Sequence, residues 1–166
     1  MQSDNLVLKK STVKVKILKA IIYCTMVLTV IAFIIFSLFI GDYLRNRRGI
    51  ENEMLKYFLI GYFFVSILPF LFALMKSADI CNIIAKGEAF SELTLKKLSG
   101  IVYACYAEAG VNAVLGLLVY FLFEFNMLIS SFFVVALCGI IAVFVTVLKE
   151  LVKSAKWLKD ENMLTI

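Results

Sequence analysis

The chain has 166 residues, is 63% apolar with mean hydropathy +0.97, and carries a formal net charge of +5. Soluble domains hold about 45–50% apolar residues, so this composition excludes an ordinary soluble fold, and the lack of any histidine excludes imidazole acid–base chemistry and Ser-His-Asp triads. The four cysteines, Cys24, Cys81, Cys105 and Cys138, stand singly with no C-x-x-C, so no metal centre of the Cys/His kind and no cofactor is expected.

In chain order, the first element is the basic stretch Leu6 to Lys19. It alternates apolar residues with Lys9, Lys10, Lys14, Lys16 and Lys19, which suits a helix lying at the headgroup level before the chain turns into the membrane. Four apolar runs follow: Ala20 to Gly41, Tyr57 to Met75, Gly100 to Phe123 and Leu128 to Leu148. Each can cross a hydrocarbon core of about 30 Å, which needs roughly 20 helical residues. A barrel strand would alternate with period two, and Ile31-Ala32-Phe33-Ile34-Ile35-Phe36 does not. The first run is too long for a secretory signal and no small-residue cleavage site follows it, so it is read as a retained span. The expected fold is an all-α membrane protein: one integral domain over 1–166, a four-transmembrane-helix bundle with spans at about 20–41, 57–75, 100–123 and 128–148.

Charge sets the expected topology. Five Lys and Arg residues precede the first run, four fall in 41–56, four in 76–97, none in 124–127 and four after 148. An N-in arrangement therefore puts thirteen on one face and four on the other. The positive-inside rule places both termini in the cytoplasm, with a cytoplasmic hairpin at 76–99 and a cytoplasmic tail at 149–166. A positive face against anionic lipid accounts for the net charge, and no direct nucleic-acid binding is expected.

Between the second and third runs, the helix continues past Lys76 through Ala78, Ile80, Ile83 and Ile84. Gly87 supplies a left-handed stop, and Ser91 an N-cap with Glu92 at the positive end of the next helix dipole. Phe90 at this tip either tucks between the two helices or docks onto something else, and is the natural apolar anchor between the helices or against the tail. The tail continues the fourth helix through Lys149, Lys153, Lys156 and Trp157 until Asn162 ends it. Beyond it, Leu164-Thr165-Ile166 and the terminal carboxylate suit capture in a protein groove.

Glu108 is the only charged residue inside the four runs. It lies ~12 Å from the start of the third run at 1.5 Å per residue, where a charge costs about 2.5–3.5 kcal/mol on insertion scales. Ala104, Cys105, Ala109, Asn112 and Gly116 share its side of the helix, whereas Tyr103, Ala107, Val114, Leu118 and Phe121 suit lipid. Small and polar residues mark helix–helix interfaces in membranes, so the stripe faces the bundle interior. Candidate partners are Thr25 and Thr29 on the first span and Tyr62 and Ser66 on the second, where Pro69 frees a carbonyl near Val65. Two readings stay open: a hydrogen-bonded strut, or a ligand or ion site made of Glu108, Asn112, Tyr62, Ser66, Thr25 and Thr29.

Lys86-Gly87-Glu88-Ala89-Phe90-Ser91, followed by Lys97-Leu98, resembles the K-G-x-P-F-S/T turn of the YoaS-like family of small four-span bacterial membrane proteins, a domain of unknown function. Leu158-Lys159-Asp160-Glu161-Asn162-Met163-Leu164-Thr165-Ile166 resembles its closing L-K-x-E-N-D-L-T-I motif. Ala89 and Met163 stand where the family has proline and aspartate. The resemblance covers essentially the whole chain and implies the four-span architecture in a bacterial cell membrane. It also implies a partner, since members are often encoded beside a very small helix-turn-helix regulator. The expected function is a membrane-embedded sensor or regulatory partner that passes a membrane or ligand signal to a cytoplasmic protein. Its contact residues would be Gly87, Phe90, Ser91, Glu161, Asn162, Leu164, Thr165 and Ile166. The alternative is a small transporter, channel or immunity-type protein built around Glu108, with homo-oligomerisation supplying further carboxylates. No P-loop, G-x-G-x-x-G or G-x-S-x-G occurs, so no enzyme and no catalytic residue is expected.

Overall fold

The computed structural model describes residues 2–48, 53–124 and 127–164, without the side chains of 2–12, 47, 48, 159 and 162–164. These residues form four helices and no strand: α1 (Gln2–Arg48), α2 (Glu53–Ala85), α3 (Glu92–Phe123) and α4 (Leu128–Leu164). All four are long and apolar enough to cross a membrane. The shortest has 32 residues, about 48 Å at 1.5 Å per residue, so every helix outruns a hydrocarbon core. The expected turn at the end of the basic stretch does not occur. Nothing between Gln2 and Ile40 is glycine or proline, and α1 runs straight through.

The helices pack in series, α1 on α2, α2 on α3 and α3 on α4, and the backbones of α1 and α4 do not meet among the described residues. Three apolar clusters hold them. At the end bearing the α3–α4 connection, Ile40 and Leu44 meet Leu55, Leu59 and Val119. Toward the α2–α3 hairpin, Leu98, Ile101 and Cys105 meet Ala142 and Val145, while Ile22 meets Ala78 and Cys81. Lipid is as apolar as leucine, so these contacts stabilise by close packing rather than by escape from water. The same solvent explains why Tyr103, Val114, Leu118 and Phe121 stay exposed beside Ile34, Leu38, Phe132 and Phe144. So large an apolar surface fits a bilayer and not water.

Between Gly116 and Ser131 the backbones of α3 and α4 come close. A Cβ built on Gly116 would lie 2.9 Å from Ser131 Cβ and nearer still to its Oγ. At the end of α3, Glu124 takes a left-handed conformation (φ 53°, ψ 19°) and its N–H returns to Tyr120 O. The α2–α3 hairpin follows the turn chemistry of its sequence. Gly87 has φ +80°; its N–H bonds Ile84 O and that of Glu88 bonds Ile83 O, a Schellman stop. Ser91 is extended (φ −99°, ψ 161°) and its hydroxyl accepts from Thr94 N–H at 3.3 Å. Thr94 is buried and its hydroxyl donates to Glu88 O, which closes the tip.

Candidate functional site

Halfway between the clusters, all four helices line a cavity of about 460 Å³. α3 contributes Glu108 and Asn112, one turn apart; α2 contributes Tyr62 and Ser66, also one turn apart. The i, i+4 spacing on both helices puts two polar side chains of each on facing sides. They form one network. Tyr62 Oη donates to Asn112 Oδ1 at 2.5 Å, and Asn112 Nδ2 donates to Ser66 Oγ at 3.0 Å and to Glu108 Oε1 at 2.7 Å. Ser66 Oγ donates to the same Glu108 Oε1 at 2.5 Å.

The direction of donation is fixed by one bond. Asn112 Nδ2 also lies 2.9 Å from the Glu108 carbonyl oxygen, which only accepts, so the amide nitrogen must be on that side and Oδ1 must face Tyr62. Every donor in the chain then runs from Tyr62 toward Glu108. Oε1 receives two of them, whereas Oε2 is buried with no hydrogen-bond partner. Buried polar atoms in membrane interiors are ordinarily paired. This one is not.

The rest of the lining is apolar and aromatic. Ala32, Phe33 and Phe36 come from α1, Phe63, Ile67 and Phe70 from α2, and Met127, Ser130 and Val134 from α4 and its approach. The Phe36 and Phe63 rings lie 4.3 Å apart. α1 and α4 both line the cavity while their backbones stay apart among the described residues, so no backbone contact closes the side between them.

Of the six residues expected at this site, Glu108, Asn112, Tyr62 and Ser66 converge as one network. Thr29 lines the cavity, but its hydroxyl donates to Thr25 O at 2.8 Å. Thr25 is outside the lining, and its hydroxyl donates to Ile21 O at 2.9 Å; satisfying the hydroxyl within its own helix is the local solution for threonine in lipid. Ala32 and Phe36 lie on the same face of the first span as Thr29 and line the cavity with it, whereas Phe33, Phe63, Phe70 and the α4 contribution were not expected. The Ser130-Ser131 pair, a polar step inside an apolar run, is the signal that marks α4.

At the hairpin end, the tail of α4 lies beside the start of α3. Lys156 Nζ is 2.9 Å from Glu92 Oε1, and Trp157, Lys149, Lys153 and Leu95 line the groove around the pair. Both residues lie beyond the apolar runs. The ammonium holds the Glu92 carboxyl below the usual carboxylate range, and the carboxylate raises Lys156 in turn. A second pair, Lys97 to Asp79 at 2.6 Å, ties α3 to α2. Phe90 is 50% exposed and belongs to none of the apolar clusters, so it is not tucked between α2 and α3, and the other expectation, that it docks onto another protein, is the one its exposure suits. Gly87 and Ser91 shape the tip, and Glu161 is exposed near the end of α4. Asn162 does not end the helix, which continues to Leu164. The side chains of Asn162 and Leu164, and all of Thr165 and Ile166, lie outside the described residues.

Comparison with known proteins places these features in a context. A family described as a protein of unknown function (DUF2975) matches residues 45–166. The uncharacterized membrane protein YoaS of Bacillus subtilis (strain 168) is 31% identical over 117 residues, which covers 68% of this chain and 72% of that protein. No solved structure matches the chain.

Proposed function

Because the chain belongs to the DUF2975 family of membrane proteins of unknown function, its role has to be argued from its own geometry, and we propose that it is a membrane-embedded sensor. In this reading, occupancy of the Glu108 cavity is passed along α3 and α4 to a cytoplasmic regulatory protein. One observation carries the reading. The two helices that hold Glu108, Asn112, Ser130 and Val134 at the cavity are joined again beyond the membrane by the Glu92–Lys156 pair. A shift between α3 and α4 at the cavity is therefore felt at the hairpin and tail. The thirteen-to-four split of basic residues supports a cytoplasmic hairpin, tail and N-terminus.

The transport alternative also has the cavity in its favour. Coupled transport ordinarily uses paired or relayed ionisable groups, and the four apolar runs supply Glu108 alone. The sensor reading needs only one. No catalytic role is assigned, in keeping with a chain that has no histidine.

The test is copurification from membranes of the native host. The intact chain should retain a cytoplasmic protein that a chain lacking residues 162–166 loses. Glu92→Lys should lose it too, and Glu92→Lys with Lys156→Glu should recover it. Equal recovery of the same proteins by all four chains contradicts the reading.

A further inference from the structure

We infer that the Glu108 cavity binds a lipophilic primary amine, with the ammonium on the Glu108 carboxylate and the hydrocarbon tail leading out between α1 and α4. The inference rests on the sensor reading for its purpose, but on separate observations for its chemistry.

The first is the orphaned oxygen. The network delivers all its protons toward Glu108 and satisfies only Oε1, which leaves Oε2 buried without a partner. With Glu108 ionised, both its oxygens only accept, so the group that completes the site is a donor. The terminal torsion of glutamate is broad, so a partial turn can present Oε2 to the cavity while Oε1 keeps Ser66 and Asn112.

The second is charge. Glu108 is the only charged residue in the apolar runs, so a cationic donor supplies the opposite charge that the protein itself does not, as buried charges ordinarily require. The third is the wall. Phe33, Phe36, Phe63 and Phe70 line the same cavity, and aromatic faces attract ammonium groups while covering alkyl chains. A bare metal ion would leave such a volume mostly empty and would want several converging lone pairs. Here the Tyr62 and Ser66 hydroxyls are already engaged as donors within the network. The fourth is access. No backbone contact joins α1 to α4 beside the cavity among the described residues, which leaves a side by which an amine partitioned into the bilayer would enter.

The experiment uses the full chain in phosphatidylcholine nanodiscs with radiolabelled decylamine as the probe and decanol as its uncharged control. Empty nanodiscs correct for partitioning. Wild type should show a saturable component of one amine per chain, with decanol at least tenfold weaker. Glu108→Gln keeps an oxygen for Ser66 and Asn112, so it should fold and yet lose at least tenfold in amine affinity. Ala32→Phe leaves the polar network intact but adds a ring to the wall of the cavity, and should weaken binding of both compounds at least tenfold. Circular dichroism and monodisperse elution verify that both variants are folded. No saturable amine binding, or binding that Glu108→Gln leaves unchanged, overturns the assignment. So does amine affinity that Ala32→Phe leaves unchanged. None of these outcomes bears on whether the tail engages a cytoplasmic protein, so the ligand class and the sensor reading fail separately.

Discussion

At Gly116 the absence of one carbon sets how closely two helices approach. Any side chain there must push Ser131 and its helix away, since a Cβ meets Ser131 Cβ at 2.9 Å. Overpacking of this kind costs about 1–3 kcal/mol, so Gly116→Ala should lower unfolding stability in detergent by that amount and Gly116→Leu by more. Asn112 is the other sensitive position, because it bonds Tyr62, Ser66 and Glu108 at once. Asn112→Ala leaves Tyr62 Oη without its acceptor, at a cost of roughly 1–3 kcal/mol. Adding Tyr62→Phe removes the stranded hydroxyl, so the double variant should be less destabilised than the two single losses sum to. Strict additivity in the unfolding midpoints would show that the bond between Tyr62 and Asn112 contributes nothing. The polar half of this site was legible in the sequence because Glu108 and Asn112, and Tyr62 and Ser66, each recur at one turn. Thr25 obeyed the same spacing and still lies off the cavity, because periodicity gives a face of a helix and not the depth at which a neighbour meets it.

Among the elements, the α2–α3 hairpin is the one whose sequence dictates its shape most directly. Gly87 at φ +80° and Ser91 at the N-cap are each required by the backbone there. Ser91→Ala removes the bond to Thr94 N–H and should cost about 1 kcal/mol, in the range of 0.5–2 for N-caps. The link between this hairpin and the tail of α4 could not be read in advance, since Glu92 and Lys156 are 64 residues apart and a pair on two exposed helix faces has no local signature. Phe90 drew attention as an apolar residue at a tip, yet the tip is held by backbone and Thr94 bonds instead. The Glu92–Lys156 pair also carries a pH dependence. A carboxylate held below its usual range contributes its pairing above the ordinary glutamate pKa and loses it as pH falls through the lowered value. A lysine held above its usual range contributes below the ordinary lysine pKa and loses its share as pH rises through the raised one. Backbone amide exchange in 92–98 should therefore be slowest, after correction for the intrinsic rate, between those limits. A monotonic profile would show that the pair does not hold the two helices together. Glu92→Lys should raise that exchange, and added Lys156→Glu should restore it.

For the whole molecule, the four apolar runs announced four spans, because a hydrocarbon core admits only helices of that length or closed barrels. Their serial packing was not announced. Four helices apolar on every side carry no pattern that says which pairs touch, and the gap between α1 and α4 follows only from the assembled fold. Sidedness has its own check: a membrane-impermeant thiol reagent should label Asn46→Cys from outside intact cells and leave Ala89→Cys unlabelled until the membrane is opened. In a sensor of this design, a change in the cavity wall is felt at the far ends of α3 and α4. Hydrogen–deuterium exchange of the full chain in nanodiscs, wild type against Ala32→Phe, measures this without knowledge of any ligand. Altered exchange is expected in 86–98 and 149–164, segments that begin about 15 Å beyond Glu108 along α3 and about 22 Å beyond Val134 along α4 at 1.5 Å per residue. Exchange that changes only beside the cavity, with the hairpin and tail identical in the two proteins, would contradict it.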